Sequence, residues 1–410
     1  MVVRESAAPH GLAARPRRRP APARAGTPSM RKVRRIVGLD TARGLAVLGM
    51  VAAHVGPDDT WRTVPPGGFA QLADGRPSAV FVVLAGVGLA LLSGGDRPVT
   101  GTRLVQARLR ILVRAALLVV LGAVLVELGT PVVVILVVYG AMFAAGTLAL
   151  RWSRPVLAAA AVAVAVVGPV VRPWFDAFPV VAERPVDPMT VLIGHYYPAI
   201  VWMSYVLTGL AGGRSDLRSP RVHAWLAALG LGLVVVGHGG AAAVTAALGR
   251  STELTTAEPH SSSPFEIAGN TGTALLVLAV CLAVGLRWPR ALAPVSATGA
   301  LALTAYSGHL LVIAALGTDV VWAPTTASWL WFTGVIVVAC WAWRAWVGRG
   351  PLEWVLHAVS TRAADVAPDA LPPRTDAPRE AAPPSPGATD VPVPQGQTSE
   401  RAHDPSPERR

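Results

Sequence analysis

Long apolar runs recur along most of the chain, and they constrain its fold more than any other feature. Of the 410 residues, 52% are hydrophobic and only 15% are charged. Runs of eighteen or more apolar residues are typical of helices that cross a bilayer, because a helix satisfies its backbone hydrogen bonds internally. The sequence therefore predicts an all-α membrane protein that crosses the bilayer many times.

Ten apolar segments are long enough to count as spans. They are residues 36–55, 77–93, 111–128, 132–150, 156–172, 191–211, 224–248, 266–286, 295–316 and 328–347. Basic residues precede the first span and follow every second span. They are Arg31, Lys32, Arg34, Arg35, Arg97, Arg103, Arg108, Arg110, Arg151, Arg154, Arg214, Arg218, Arg221, Arg287, Arg290 and Arg349, whereas the other loops carry Asp58, Asp59, Asp176, Glu183, Asp187, Glu253 and Glu258. Because arginine and lysine are enriched in cytoplasmic loops, both termini are predicted to be cytoplasmic.

The two ends of the chain differ in composition from its apolar middle. Residues 1–35 are basic and rich in proline, without the apolar core of a cleavable signal, and we expect a disordered cytoplasmic tail. Residues 36–350 form the predicted transmembrane domain. Residues 351–410 are expected to form a juxtamembrane segment and a proline-rich disordered tail. The net charge of +12 does not indicate nucleic-acid binding, because no basic helix or aromatic stacking platform accompanies it.

Three ionisable side chains interrupt the first predicted span. Asp40 and Arg43 are three residues apart, and His54 follows eleven residues after Arg43, about 16 Å along a helix. The three therefore share roughly one face, and groups at such depth usually face a cavity or a partner. A histidine can accept a proton from an attacking hydroxyl or amine. The alternative is an interfacial ion pair and an interfacial histidine.

A second pair of basic residues opens the third predicted span. Arg110 and Arg114 are four residues apart, which places both guanidinium groups on one face of a helix. Two arginines in this arrangement can bind phosphates bidentately, as a nucleotide-bearing donor such as coenzyme A would require. The alternative is ordinary positive charge in a cytoplasmic loop.

These motifs resemble the transmembrane acyltransferase superfamily. The first span has an arginine, ten residues and then a histidine, and the third has Arg-x-x-x-Arg. This pattern is similar to the acyltransferase 3 branch and to the heparan-alpha-glucosaminide N-acetyltransferase catalytic domain, with the related YeiB-like membrane proteins. The opening Gly38-Leu-Asp-Thr-Ala-Arg-Gly-Leu-Ala46 matches both branches. Three further motifs resemble the heparan-type branch. They are Gly75-Arg-Pro-Ser-Ala-Val-Phe-Val-Val-Leu-Ala-Gly86, Leu303-Thr-Ala-Tyr-Ser-Gly-His309 and Gly350-Pro-Leu-Glu-Trp354.

The resemblance implies transfer of an acyl group, usually acetyl, from cytoplasmic acyl-CoA to an acceptor on the far side of the membrane. His54 falls on the active-site position of the family, and Asp40 is assigned with it to catalysis. Arg43, Arg110 and Arg114 fall on positions linked to the donor. The heparan-type enzymes place a further histidine in the loop after the first span, and this chain has none there, so an acyl-histidine relay from that loop is not expected.

Other polar residues are candidates for the acceptor site. Tyr306 and His309 lie one turn apart in the ninth span, and Glu127 ends the third. His195 opens the sixth span, where an aromatic belt is an equal alternative. Glu266 with Asn270 could bind a sugar hydroxyl or only cap and pack, and the lone His238 fits packing. No metal site is expected, because the membrane histidines lack paired ligand spacing, and neither Cys281 nor Cys340 suggests a disulfide framework.

The expected protein is a multi-pass acyltransferase of the cytoplasmic membrane. Its partners would be membrane lipids, acyl-CoA (acetyl-CoA) as donor substrate, and a glycan, lipid or small metabolite as acceptor, with no tightly bound cofactor. A homodimer is left open. The rival class is a carrier or flippase in which the same polar residues line a substrate path, although no inverted repeat supports it. A further alternative is a degenerate member that scaffolds partners.

Overall fold

The computed structural model describes residues 35–57, 73–175 and 186–366, and every secondary-structure element within these ranges is helical. The all-α prediction is therefore confirmed for this part of the chain. Several predictions fall outside the described residues. These are the two disordered tails, the basic residues Arg31, Lys32 and Arg34, and the acidic residues Asp58, Asp59, Asp176 and Glu183.

Fifteen α-helices follow one another in the described ranges. They are α1 (Val37–Val55), α2 (Arg76–Leu92), α3 (Gly101–Val126), α4 (Leu136–Gly146), α5 (Arg154–Val171), α6 (Pro188–Ile193), α7 (Ala199–Gly213), α8 (Pro220–Val234), α9 (Gly240–Leu248), α10 (Pro264–Arg287), α11 (Ala293–Ala300), α12 (Ala302–Leu316), α13 (Asp319–Trp322), α14 (Thr326–Trp346) and α15 (Pro351–Ala363). Short 3₁₀ turns, Thr147–Ala149 and Arg172–Phe175, extend α4 and α5. A π-helical turn, Val235–Gly239, joins α8 to α9.

The chain is a multi-pass membrane protein. Five stretches of helix are long and apolar enough to cross a bilayer: α3, α5 with its 3₁₀ turn, α8 with α9, α10, and α14. The pair α11 and α12 makes a sixth if it counts as one span, although it bends by 83°. The apolar α2, α4 and α7 are shorter. Together with α1, these helices occupy the ten predicted segments, but ten spans and the side of each terminus remain predictions.

Two glycines of the opening motif let α1 pack tightly between α10 and α11. A methyl group added at Gly38 would lie 2.5 Å from the Leu282 Cα atom of α10, and one at Gly44 would lie 3.0 Å from the Val295 carbonyl carbon of α11. Real side chains essentially never show the first distance, and at Gly44 the Val295 carbonyl oxygen would be closer still than its carbon. Small residues at such positions allow close approach of membrane helices, so these glycines fix where α1 sits.

Gly86 allows close packing of two helices, whereas the neighbouring Gly88 has another role. A methyl group on Gly209 of α7 would come within 3.0 Å of the Gly86 Cα atom, so α2 and α7 cross at two glycines. Gly88 instead faces the Nη2 atom of Arg43, at 3.7 Å from an added Cβ. It leaves room for a charged side chain inside the bundle.

Arg214 joins the ends of three helices. Only 5% of this residue is exposed, and its guanidinium donates to Gly95 O at 2.8 Å, to Ser93 Oγ at 3.1 Å and to Leu150 O. These acceptors follow α2 and the 3₁₀ extension of α4, while Arg214 itself follows α7. Carbonyl groups at helix ends lack partners within the helix and favour positive charge. Arg214, which the sequence analysis treats only as a loop charge, therefore binds helix ends together.

Candidate active site

Two histidines from opposite parts of the chain meet inside the bundle. His54 lies in the last turn of α1, and His309 lies in α12. A hydrogen bond of 3.0 Å joins His54 Nδ1 to His309 Nε2, and the two rings are stacked with their centroids 5.2 Å apart. Only 1% of His309 is exposed. We call these two residues the histidine pair.

The pair leaves one nitrogen of each ring for other partners. His309 Nδ1 is buried and has no hydrogen bond of good geometry within the described chain, although the carbonyl groups of Ala305 and Tyr306 lie beside it. The Tyr306 ring packs edge-on against His309 at 5.2 Å. Because His54 uses Nδ1 within the pair, its Nε2 takes no part in this contact. Two hydrogen-bonded imidazoles can accept a proton and share it.

Asp40 belongs to a different group. It is 5% exposed, forms an ion pair with Arg35, and lies 3.4 Å from the Arg43 guanidinium. Asp40 precedes His54 by fourteen residues, about 21 Å along α1. The structure therefore places Asp40 with the arginines and not with the histidine pair. We call this the arginine end of α1, and the other the histidine end.

A cavity of about 660 Å³ opens at the arginine end. Residues of α1 to α4, α11, α12 and α15 contribute to its wall. The charged and hydroxyl-bearing side chains on the wall are Arg35, Asp40, Arg43, Arg114, Tyr139 and Glu353. Two of the three arginines that the sequence assigns to the donor therefore face one cavity, while Arg110 does not line it.

Positive charge is concentrated beside this cavity. Arg114 lies close enough to Arg43, Arg110 and Arg349 to interact with all three electrostatically, and its Nε donates to Ser360 Oγ at 3.1 Å. From sequence, Arg349 is only a topology signal, because nothing in a linear pattern brings the end of α14 next to α3. We call Arg43, Arg110, Arg114 and Arg349 the arginine cluster.

His357 on α15 adjoins the same cluster. Loss of hydration, followed by the positive charges of Arg349, Arg114 and Arg110, lowers the pKa of His357 below its ordinary value. A neutral His357 is therefore favoured while the cluster is without an anion. The sequence analysis misses this residue, since a lone histidine on an amphipathic helix carries no signal.

Glu353 connects two of the quoted motifs. Its Oε1 accepts from Leu303 N at 2.8 Å and from Thr304 N at 3.1 Å, and its Oε2 accepts from Thr304 Oγ1 at 2.6 Å. These donors lie in the first turn of α12, where a carboxylate is favoured by the free N–H groups and the helix dipole. The Gly350–Trp354 motif thus caps the helix that carries Tyr306 and His309.

The cavity ends before the histidine pair. Neither His54 nor His309 is on its wall, whose inner part includes Phe81, Tyr139 and Phe143. The Tyr139 ring centroid lies 5.2 Å from each of the two phenylalanine rings. A cluster of three aromatic rings therefore forms part of the cavity wall.

Two further candidates, His195 and Glu127, stay predictions for the acceptor site. His195 is exposed and packs against Tyr196, and Glu127 is exposed at the end of α3; within the described chain, no hydrogen bond joins either to the histidine pair. Glu266 accepts hydrogen bonds from His260 N, Ser261 Oγ, Ser262 N and Asn270 Nδ2. These contacts favour a capping and packing role for Glu266 and Asn270 over the binding of a sugar hydroxyl. Among the described residues, no group of His, Cys, Asp and Glu could hold a metal ion.

Apolar helices around a buried histidine pair and a basic cavity define a multi-pass membrane protein with an enzyme-like site. The model of the family described as heparan-alpha-glucosaminide N-acetyltransferase, catalytic, matches residues 35–241, and the chain belongs to this family. The resemblance seen in the motifs is thereby confirmed, and the family points to an acetyltransferase-type enzyme. The match includes His54 and ends before α12, which supplies His309. No curated protein matches the chain.

Proposed function

We propose that this protein transfers an acetyl group from cytoplasmic acetyl-CoA to an acceptor at the outer face of the cytoplasmic membrane. The contact between His54 and His309 carries the proposal, because it builds a proton-accepting group about 16 Å along α1 from Arg43. Donor binding and chemistry would then occur at opposite ends of one helix. The family supports acetyl as the group transferred.

The arginine cluster would bind the phosphates of the donor. Guanidinium groups hold phosphate bidentately, and several of them around one cavity suit a ligand with more than one phosphate. Arg43 and Arg114 line the cavity directly, and Arg349 adds charge beside them. The pantetheine arm would extend along α1 past the aromatic rings toward His54.

His54 would act as the general base. Its Nε2 takes the proton of the acceptor hydroxyl or amine while the acceptor attacks the thioester carbonyl. The carbon–sulfur bond breaks, and the proton passes to the sulfur of the leaving coenzyme A. Tyr306, whose buried ring packs against His309, would donate its hydroxyl to the oxyanion.

The distribution of tryptophan is compatible with ten spans whose ends lie at the two membrane surfaces. Tryptophan is enriched where helices leave the bilayer. On the proposed topology, one group of exposed tryptophans lies at the cytoplasmic surface and another at the outer surface. The first group is Trp152, Trp225, Trp288, Trp341, Trp343, Trp346 and Trp354, and the second is Trp174, Trp322 and Trp331.

Acetyl transfer from labelled acetyl-CoA tests the proposed function. Membranes that contain the protein should incorporate the acetyl group into a product that is missing from membranes with the His54→Asn variant. Mass spectrometry of the cell envelope should find the same added acetyl mass. A carrier would move its substrate across the membrane without any new acylated product, and that result would reject the enzyme.

A further inference from the structure

We propose that the acceptor is a membrane lipid with a hydroxyl or amino group, which reaches the histidine pair sideways from the bilayer between α12 and α14. This inference rests on the proposed acyl transfer and names the class of its acceptor.

A second cavity, of about 280 Å³, lies between α12 and α14 and has His309 on its wall. Apart from His309, nearly all of the wall is aliphatic or aromatic, with Val312 and Leu316 on one side and Phe332 and Val335 on the other. Thr304 also lines it, but its hydroxyl already donates to Glu353. The wall thus offers little hydrogen bonding to a sugar and a good surface for a hydrocarbon chain.

This cavity lies at the boundary between protein and lipid. α14 is long and apolar enough to span the membrane, yet only 11% of its most apolar stretch is buried. Large side chains along it are exposed, among them Leu330, Trp331 and Val338. A helix that is apolar on nearly all sides faces hydrocarbon in a membrane. A lipid chain can therefore enter beside α14 without crossing water.

Gly308 leaves space next to the reactive residue. No atom lies within 4 Å of the position that a Cβ atom would take at Gly308, which precedes His309 and lines the same cavity. A Cβ atom added there would meet no neighbouring helix. By contrast, the cavity at the arginine end is charged and has neither histidine on its wall. Of these two cavities, only the apolar one reaches the histidine pair.

The transfer step is balanced without a further reactant. The lipid oxygen or nitrogen attacks the carbonyl carbon of the acetyl thioester, a new carbon–oxygen or carbon–nitrogen bond forms, and the carbon–sulfur bond breaks. The proton moves from the lipid to the histidine pair and then to the coenzyme A sulfur. The products are an acetylated lipid and coenzyme A as the free thiol.

The test uses full-length protein in native membranes with radiolabelled acetyl-CoA, followed by separation of lipid, glycan and soluble fractions. Label should appear in the lipid fraction. Gly308→Leu and Ala339→Leu, which fill the cavity from its two sides, should each lower lipid labelling by roughly 10²-fold, the cost of a misplaced reactant. Gly334→Leu is the matched control, because Gly334 also has open space at its Cβ position but does not line the cavity. It should label lipid as the unchanged protein does.

The outcomes separate this inference from the proposed function. Label confined to the glycan or soluble fraction rejects a lipid acceptor and keeps the acyltransferase. No transfer into any fraction rejects both. Wild-type labelling by Ala339→Leu, together with the same result for Gly308→Leu where that variant folds, rejects entry between α12 and α14.

Discussion

At the residue scale, the histidine pair allows base and orienting roles to be separated. His54→Ala should lower the rate of transfer by roughly 10²- to 10⁴-fold, the usual contribution of a general base. His54→Asn should lose nearly as much, because asparagine can hydrogen-bond to His309 but cannot accept a proton at neutral pH. Coenzyme A affinity should not change in either variant, since the arginine end is distant. Steady-state rates and calorimetric binding in detergent measure the two effects.

His195→Asn is the control for this experiment. His195 is exposed and packs only against Tyr196 among the described rings, so its loss should leave transfer unaltered. Full turnover by His54→Asn would contradict the assignment of His54 as base. The proton would then go to His309.

Replacing one guanidinium in the arginine cluster should weaken donor binding without unfolding the protein. Arg114→Ala should cost about 1.5–3 kcal/mol of coenzyme A affinity, as for hydrogen bonds to charged groups. Arg114→Lys should restore only part of it, because lysine lacks the planar fork. Arg103→Ala, an exposed arginine on the same helix, is the control. Equal affinities for Arg114→Ala and Arg103→Ala would mean that Arg114 only marks topology.

His357 predicts how donor affinity changes with pH. Its pKa is lowered in the free protein by loss of hydration and then by Arg349, Arg114 and Arg110. Bound phosphates would offset those positive charges and raise the pKa again, so donor binding takes up protons. By linkage, affinity gains as pH falls through about 6.5, the ordinary histidine pKa, and further below it. The gain should be smaller in His357→Ala, whereas protonation of the phosphates themselves affects both proteins alike. Identical pH profiles would exclude the effect.

Individual site residues were predictable from sequence, but their contacts were not. A helical period places Asp40, Arg43 and His54 on one face, and the structure keeps them on α1. The helical period gives no information about a partner 255 residues away, so only the folded structure shows the contact between His54 and His309. Likewise, the shared helical face suggests that Asp40 acts together with His54, because a face gives no distance along the helix.

At the scale of elements, Glu353 on α15 should act as a positioning residue for α12. Glu353→Ala leaves the Leu303 and Thr304 N–H groups without their acceptor, and should lower the transfer rate by up to roughly 10²-fold through a shift of His309. The affinity for coenzyme A should stay the same or rise, because the substitution removes a negative charge from the cavity wall. Glu353→Gln should recover much of the rate, since its carbonyl still accepts. Equal losses in both variants would indicate a role for the charge instead.

The glycine contacts of α1 should be intolerant of even a methyl group. Gly44→Ala forces α1 and α11 apart, and overpacking of this kind costs about 1–3 kcal/mol. Gly232→Ala in α8 is the control, because nothing lies within 4 Å of its Cβ position. Thermal unfolding in detergent should show a lower midpoint for the first variant alone. A normal midpoint for Gly44→Ala would show that α11 can move aside.

Hydropathy located the helices but missed their breaks. The predicted span 191–211 is divided between α6 and α7, with Gly194 and Pro198 between them, where proline disfavours helix in the preceding residue. The predicted span 295–316 bends by 83° between α11 and α12. An apolar average registers neither a break nor a bend, because both involve residues that are themselves apolar or small.

At the scale of the whole molecule, the ten-span topology predicts which loops can be labelled from outside. Glu253→Cys, in the exposed loop after α9, should react with an impermeant thiol reagent on intact cells, whereas Asp96→Cys, after α2, should react only once the membrane is opened. The native Cys281 and Cys340 are buried and should give little background. The loop at 176–187 is expected outside and both tails inside. Labelling of that loop on the same side as the C-terminal tail would reject ten spans.

The helix ends held by Arg214 also determine how much of the bilayer acts as a barrier. α2 and α7 contain 17 and 15 residues, so α7 rises only about 22 Å, against roughly 30 Å of hydrocarbon. Arg214 fixes the C-terminal ends of α2 and α7 at one level, so the shortfall in length lies at their N-terminal ends. There α2 begins against Gly49 of α1, more than one helical turn before His54. Irregular backbone at that depth must be covered by protein or wetted. On the proposed topology, protons and water from the outer side would cross less than a full membrane to reach the histidine pair, and the proposed acetyl transfer would cross correspondingly less hydrocarbon.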